Sequence, residues 1–167
     1  MKESKLIIKI LETKDELQPA FNLRCKVFVK EQNVPKELEF DEKDNIESTI
    51  HIGCFEYNHL IGVARLIDMD KNTIHIGRVA VEKNCRKRGI GSKLILGCEE
   101  IAIKTLKLPF KIKLGAQIQA EKFYENLGYK RVNNKIYLEA GIQHIDMEKQ
   151  SHRGCIYEKT IFIYRWL

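Results

Sequence analysis

The fold is decided by the stretch Thr73–Lys93, which reads TIHIGRVAVEKNCRKRGIGSK. Its first nine residues are rich in β-branched and aliphatic side chains and predict a strand. A basic loop with two glycines follows, and apolar residues then recur with helical period from Ser92 to Leu106. Glycines let successive backbone N–H groups converge, and the helix N-terminus adds the positive end of its dipole. The segment therefore predicts a cradle for phosphate groups.

The glycine loop matches neither of the common nucleotide-binding motifs. No glycine stands five residues before Gly91, which excludes a P-loop, and no third glycine follows at the spacing of a dinucleotide fingerprint. Three consecutive basic residues, Arg86, Lys87 and Arg88, add positive charge to the loop. The loop therefore indicates an anionic ligand without naming it.

Outward from this segment, the chain predicts a mixed α/β domain. Lys5–Leu11 reads as a strand, and a helix begins after Thr13 and runs to about Lys30. The later predicted elements are strands at 49–57, 60–68 and 73–81, a helix at 92–106, a strand at 110–114, a helix at 116–127 that ends at Gly128, and a hairpin of 129–132 and 136–147 with its turn at Asn133-Asn134. This order, β-α-βββ-α-β-α-ββ, predicts a mostly antiparallel sheet flanked by helices.

The sequence predicts one domain followed by a short C-terminal extension. Residues 1–150 are predicted to form a single domain. The segment 151–167 ends in the apolar run IFIYRWL, which is too apolar for a free tail. We expect it to add an extra C-terminal strand, or to cover a surface of the domain or of an interface such as that of a homodimer.

Composition narrows the function classes. The chain has 167 residues, enough for a core without metal or disulfide staples. Five cysteines occur without any CxxC pair, so we expect no metal site and a reducing, cytoplasmic setting. The opening residues resemble no signal peptide, and no apolar run is long enough to span a membrane.

The net charge of +6 is concentrated in two places. Residues 83–93 carry five basic side chains, and residues 31–47 carry seven acidic ones. A nucleic-acid binder usually spreads basic residues along a face and interleaves aromatic ones. We therefore expect no nucleic-acid partner. The surplus of positive charge nevertheless keeps nucleic-acid binding among the alternative functions.

With these features the sequence resembles the GNAT superfamily of N-acetyltransferases. The resemblance rests on Gly77–Val81 followed by Arg86–Gly91, on the segment QIQAEKFYENLGY at 117–129, and on the element order over roughly residues 5–147. The segments RCKVFVKEQ at 24–32 and GIQHIDM at 141–147 are similar to the ElaA-like branch. Gln117 stands where the family usually has Asn, and Tyr129 where it usually has Phe.

The resemblance implies an enzyme that transfers the acetyl group of acetyl-CoA to a primary amine of a small molecule or peptide, in a ternary complex. Tyr124 would act as general acid toward the departing thiolate, since a tyrosine pKa near 10 is close to that of a thiol. The resemblance also implies which residues bind CoA, and Tyr124 is one of them. The others are Val79, Ala80 and Val81 for the pantetheine and thioester, Arg86, Lys87, Arg88, Gly89, Ile90, Gly91 and Ser92 for the diphosphate, and Gln117, Ala120 and Phe123.

The acceptor side is less defined. Candidates for the general base are Glu139 and His144, and beside them His75 and Glu31. Arg24 and Gln32 would orient the substrate, or else cap and pack the first helix. The acidic stretch 31–47 falls where the superfamily builds its acceptor site, and it favours a cationic amine; the other reading is a solvated acidic loop.

Two other classes of function remain open at this point. The same fold could serve as a non-catalytic acyl-CoA-binding or regulatory module, because fold does not fix function. Tyr124 and a usable base argue for catalysis. A nucleic-acid binder would need basic residues beyond the 83–93 loop, and the acidic stretch weighs against it.

Overall fold

The computed structural model describes residues 5–107 and 109–151, and these build one seven-stranded sheet. The strand order is β1-β2-β3-β4-β5-β7-β6. The strands are β1 Leu6–Leu11, β2 Ile50–Glu56, β3 His59–Ile67, β4 Thr73–Val81, β5 Lys111–Gln117, β6 Lys130–Glu139 and β7 Ile142–Gln150. All neighbours are antiparallel except β4 and β5. The predicted mixed, mostly antiparallel α/β fold is confirmed.

Four α-helices connect the strands. They are α1 Lys14–Arg24, α2 Lys36–Glu39, α3 Ile90–Thr105 and α4 Glu121–Asn126. A capping box starts α1, because the side chain of Thr13 accepts a bond from the N–H of Glu16 and the Glu16 carboxylate accepts one from the N–H of Thr13. At its other end α1 runs directly into a π-helical segment, Cys25–Glu31.

The two faces of the sheet are covered by different helices. The larger core lies between the sheet and α3 with α4, and includes Ile52, Leu66, Ile74, Leu94, Ile95, Ile112, Leu114, Ala116, Ile145 and Met147. A smaller core lies under α1 and the π-helical segment, and consists of Leu11, Ala20, Leu23, Val27, Val63 and Ala80. We call these sides of the sheet the α3 side and the α1 side.

A wedge opens between β4 and β5. The two strands pair only where Thr73–His75 meets Lys111–Lys113, and β4 continues six residues further. A bulge at Arg78, whose φ is +51°, shifts the register of β4 against β3. The edge of β4 that faces β5 therefore carries backbone groups without ladder partners from residue 76 onward in the described chain.

Two predicted boundaries are wrong. β6 runs through Asn133-Asn134, and the hairpin turns instead at Ala140 (φ +49°) and Gly141 (φ +79°). The asparagines lie in an irregular part of β6, where its register against β7 shifts between Arg131 and Ile136. The helix predicted at 116–127 also starts later. It is α4, which begins at Glu121, because β5 extends to Gln117.

The predicted extra strand and extension lie almost wholly outside the described residues, which end at Ser151. Ser151 itself is buried and donates its N–H to the carbonyl of Phe110 at 2.9 Å. No helix in the described ranges is long and apolar enough to cross a bilayer. The division at residue 150 stays a prediction.

Candidate active site

The glycine loop presents a set of backbone N–H groups at the carboxyl end of β4. Gly89 precedes α3 with a φ of +76°, and Lys87 also has a positive φ, +61°. No side chain caps the N-terminus of α3. Among the described residues, no hydrogen bond is found for the N–H groups of 89–92. The loop therefore offers an uncapped anion cradle.

The basic side chains of this loop are partly occupied. Arg86 donates to the carboxylate of Glu31 at 2.7 Å and to the carbonyl of Val81 at 2.9 Å. Arg88 forms a two-pronged ion pair with Glu56 at 2.5 and 3.1 Å. These pairs neutralise part of the positive charge that the sequence concentrates at residues 83–93.

The first turn of α3 contacts α4. A Cβ on Gly91 would lie 3.3 Å from the ring of Phe123, so glycine allows the two helices to approach closely. The ring of Phe123 meets that of Tyr124 edge-on at 4.9 Å. Three predicted CoA residues thus lie together, and Ile90 and Ser92 belong to the same turn while Ala120 immediately precedes α4.

Tyr124 lies in the α3-side core, 8% exposed, and burial raises its pKa to about 12. Tyr129, which stands where the family usually has Phe, lies next to it with ring centroids 6.0 Å apart. The Tyr129 hydroxyl donates to Glu99 at 3.0 Å, and Lys149 binds the same carboxylate at 2.7 Å. The extra hydroxyl therefore serves a buried polar network.

Gln32 and Gln117 meet across the mouth of the wedge. The amide of Gln117 donates to that of Gln32 at 2.9 Å and accepts from Gln119 at 2.9 Å. Gln32 directly follows the π-helical segment, and its N–H bonds back to the carbonyl of Val27, five residues earlier. The wider turn thus positions Gln32, and the structure joins one predicted substrate residue to one predicted cofactor residue.

A polar platform lies beside this pair on the α1 side of the sheet. The buried even-numbered residues of β5 point to the α3 side, so its odd-numbered residues point to the α1 side. Residues opposite each other in an antiparallel pair share a face. We call the resulting set the α1-side platform; it consists of Gly115, Gln117, Tyr137, His144 and Asp146.

His144 has its tautomer fixed by the backbone. Its Nδ1 lies 2.9 Å from the carbonyl oxygen of Ile142, which can only accept, so Nδ1 carries the proton. In the neutral ring, Nε2 then holds the free lone pair. His144 is 9% exposed and stacks against Tyr137 at 5.8 Å between centroids. Glu139, the other leading base candidate, is exposed at the end of β6 on the same side.

The two other base candidates are engaged elsewhere. His75 lies at the closed end of the wedge, where its Nδ1 is 2.9 Å from the carboxylate of Asp68. Glu31 is occupied by Arg86, as described above. Both side chains tie neighbouring elements together, and the structure does not bring them to the platform.

Arg24, which the sequence offered as a substrate-orienting residue or a packing residue, is buried in an ion-pair network. It is 2% exposed, and its guanidinium donates to Glu39 at 2.5 Å and to Asp44 at 2.7 and 3.0 Å. Arg65 continues the network by donating to Asp41 and Asp44 at 2.7 and 2.8 Å. The network anchors the acidic loop to the sheet.

This network changes the interpretation of the acidic stretch. Four of its seven carboxylates are ion-paired with arginine, those of Glu31, Glu39, Asp41 and Asp44. Arg78, at the bulge of β4, adds a further bond to Asp41 at 3.2 Å. The stretch therefore gives little support to a cationic acceptor, because much of its charge is balanced internally.

Sequence reasoning missed Tyr137, Asp146 and the arginines Arg65 and Arg78. Asp146 stood in the quoted segment GIQHIDM without a role. Tyr137 could have been noticed only from its pairing with His144, which the misplaced hairpin turn hid. Burial, followed by the bond to Asp146, raises the pKa of Tyr137.

The described residues contain no group of three or more His, Cys, Asp or Glu side chains placed to hold a metal ion. The polar groups of the site are backbone amides, two tyrosines, a histidine, carboxamides and the carboxylate of Asp146. This set suits acyl transfer from a phosphate-bearing thioester, in which amides bind the diphosphate and side chains move protons.

Comparisons with known proteins show the family to which the chain belongs. The family described as acetyltransferase (GNAT) domain matches residues 11–151. The uncharacterized N-acetyltransferase YjcF of Bacillus subtilis is 36% identical over 140 residues, which cover 84% of this chain and 96% of YjcF. ElaA of Escherichia coli is 34% identical over 138 residues, covering 81% of this chain and 88% of ElaA.

Solved structures show the same architecture. The crystal structure of Escherichia coli ElaA has a TM-score of 0.77 at 29% identity, covering 87% of this chain and 99% of that one. An acyl-CoA N-acyltransferase from Pseudomonas aeruginosa has a TM-score of 0.77 at 30% identity, covering 88% and 99%. The chain therefore belongs to the GNAT acetyltransferase family, with ElaA among its relatives.

Proposed function

We propose that the protein acetylates a primary amine of a small molecule or peptide, with acetyl-CoA as the acetyl donor. The observation that carries the proposal is the run of unpartnered N–H groups at the uncapped start of α3, directly beside the open edge of β4. A CoA diphosphate suits the first feature, and the amides of a pantetheine arm suit the second. The relatives' names as N-acetyltransferase and acyl-CoA N-acyltransferase support the same donor.

The wedge would hold the donor and bring the acceptor to it. The free backbone groups of Val79, Ala80 and Val81 would pair with the pantetheine arm and polarise the thioester carbonyl. The acceptor would approach from the α1-side platform. Its amine nitrogen forms the new amide bond to the carbonyl carbon, the C–S bond breaks, and CoA leaves as a thiolate. The proton that the nitrogen releases passes through solvent to the thiolate, which gives CoA as the free thiol. Proximity supplies a large part of the acceleration.

Tyr124 would stabilise the departing thiolate mainly by hydrogen bonding. Its pKa of about 12 exceeds the roughly 8.5 of an ordinary thiol. The sequence-based expectation of a matched proton donor is thereby refined, since Tyr124 stays protonated and donates.

His144 is the base that the proposal favours. The bond from its Nδ1 to Ile142 leaves Nε2 free to accept a proton from the acceptor ammonium. Glu139 lies on the same side but is exposed. A His144→Gln variant should lower kcat roughly 10²-fold or more, as expected for loss of a general base, whereas Glu139→Gln should leave kcat nearly unchanged.

The test uses CoA binding and turnover together. Calorimetric titration should show CoA binding, and duplex DNA should give no heat. With an amine acceptor, Tyr124→Phe should lower kcat roughly 10²-fold and leave the Kd for CoA unchanged. Tyr129→Phe is the matched control, because it also removes a buried hydroxyl but that hydroxyl binds Glu99; it should lower stability rather than kcat.

Three outcomes would contradict the proposal in different ways. Absence of CoA binding would reject the donor. CoA binding without acetyl transfer across a broad amine panel would favour the non-catalytic binding module. Unchanged turnover in Tyr124→Phe would reject the role of Tyr124.

We also propose a cytoplasmic setting. Four cysteines in the described ranges, Cys25, Cys54, Cys85 and Cys98, are free thiols, which fits a reducing compartment. Alkylation of the protein in freshly lysed cells should label the accessible thiols Cys25 and Cys85; finding them oxidised would argue against it.

A further inference from the structure

The α1-side platform contains a carboxylate and a hydroxyl that the proposed chemistry does not yet use. We infer that Asp146, oriented by Tyr137, binds the ammonium group of the acceptor before His144 removes its proton. The inference rests on the proposed function and names the charge state in which the acceptor is captured.

Gly115 creates the space in which the two side chains meet. It lies directly opposite Asp146 in the β5–β7 pair. A Cβ at position 115 would lie 2.6 Å from the Tyr137 hydroxyl, so that hydroxyl occupies the place where any other residue would have its side chain. The absence of a side chain at 115 thus brings a tyrosine from β6 across the sheet toward β5.

Tyr137 holds the carboxylate in one orientation. Its hydroxyl donates to Oδ1 of Asp146 at 2.9 Å. Among the described residues, Asp146 has no ion pair with a lysine or arginine, and it is exposed. Oδ2 therefore remains available to a cation from solvent.

The other charged groups on this side do not replace such a cation. Glu148, two residues further along β7, is paired with Lys111 at 3.1 Å. Lys113 lies opposite Glu148 in register, and no ion pair joins it to Asp146 within the described chain. Glu139 adds another carboxylate near Tyr137. The platform thus favours a cationic group over an anionic one.

Asp146 is placed for transfer of the proton to His144. The two residues are two positions apart on β7 and share a face, which separates their Cα atoms by roughly 7 Å. The Cδ2 atom of the His144 ring lies 3.9 Å from the Cβ position of Gly115, so the ring borders the glycine that lies opposite Asp146. An ammonium bound at Oδ2 can give one proton to Nε2 and become the neutral nucleophile.

The gap also borders the wedge. Gly115 lies two residues beyond Lys113, the last residue of β5 that pairs with β4. Its far side therefore faces the open space that the donor would occupy. An amine that leaves Asp146 moves about one strand spacing, roughly 5 Å, to reach this open space.

The first experiment separates charge recognition from folding. Butylamine, which is protonated at neutral pH, and 2,2,2-trifluoroethylamine, which is largely neutral, serve as probe acceptors. Asp146→Asn should raise the KM for butylamine about tenfold, as expected for loss of one charged hydrogen bond, and leave that for trifluoroethylamine unchanged. Tyr137→Phe should act in the same direction, more weakly. Glu148→Gln, on the same strand and face, is the control and should change neither.

A second experiment does not depend on turnover. In an NMR titration of the CoA-saturated protein, butylammonium should shift the Gly115 amide signal saturably, and butyrate should not. Asp146→Asn should abolish the shift. The inference is overturned if Gly115 does not respond, or if Asp146→Asn raises the KM for both probes equally, as a purely structural pair would. Failure to bind CoA would instead reject the proposed function, and the amine titration would still report on Asp146.

Discussion

Replacing Arg24 by methionine should destabilise the protein strongly. The side chain is 2% exposed and binds Glu39 and Asp44, whose side chains are 3% and 5% exposed. Methionine fills most of the space but leaves buried carboxylates without their partner. Breaking a buried ion pair in this way typically costs about 3–5 kcal/mol.

The structure puts the expected loss near the lower end of that range. Asp44 keeps Arg65 at 2.8 Å, and Glu39 keeps Arg78 at 3.3 Å. A loss of about 3 kcal/mol corresponds to a fall in Tm of about 6–12 °C for a chain of this size. Differential scanning calorimetry at neutral pH would measure it.

The controls distinguish burial from charge alone. Lys26→Met removes an exposed cation that pairs with Glu82, and surface pairs of this kind contribute little. The double variant Arg24→Met, Glu39→Met should recover part of the loss, because one stranded carboxylate is removed. A Tm within about 2 °C of the parent together with a raised KM for the amine would refute this reasoning and support the substrate role that the sequence suggested.

Three further predictions concern the backbone and acid stability. Gly89→Ala should cost about 1 kcal/mol in urea unfolding, because alanine is strained at a φ of +76° while its methyl group meets no atom within 4 Å; CoA affinity, measured in parallel, should fall. Gly97→Ala should cost about 1–3 kcal/mol, because its Cβ would lie 2.7 Å from the branched side chain of Ile8, and Ile8→Ala should relieve the clash in the double variant. The network lowers the pKa of Asp44 to about 2, so its stabilisation is present above about pH 4 and is lost as the pH falls toward 2. Burial raises the pKa of Glu39, so its protonation acts in the opposite direction; Asp44→Asn should therefore flatten the acid limb of the unfolding free energy against pH.

The strands of the sheet and the glycine loop before α3 were predictable because their signals are local. Runs rich in β-branched and aliphatic residues mark β2 to β4, and Gly89 and Gly91 mark the loop before α3. The hairpin turn was not predictable in the same way. Asparagine pairs usually mark turns, but Asn133-Asn134 lies in an irregular strand, and the turn itself uses an alanine at a φ of +49° that sequence statistics disfavour.

The acceptor side depends on contacts between residues distant in sequence. Arg24 meets Glu39 and Asp44, 15 and 20 residues away, and no periodicity reports such a pairing. From the sequence, seven acids could equally form a solvated loop or a binding surface. Only the placement of four arginines, Arg24, Arg65, Arg78 and Arg86, shows that part of this charge is balanced by ion pairs.

The number of residues in the π-helical segment Cys25–Glu31 determines the shape of the turn before Gln32. A π-turn holds one residue more than the α-turn that it replaces. Deleting a single residue there would restore an ordinary α-turn and remove the i→i−5 bond from the N–H of Gln32 to Val27, so Gln32 would lose the wider turn that places it against Gln117 with both residues unchanged. Among relatives, a one-residue gap aligned to this segment would then signify a reshaped acceptor entrance, even where every named site residue is identical.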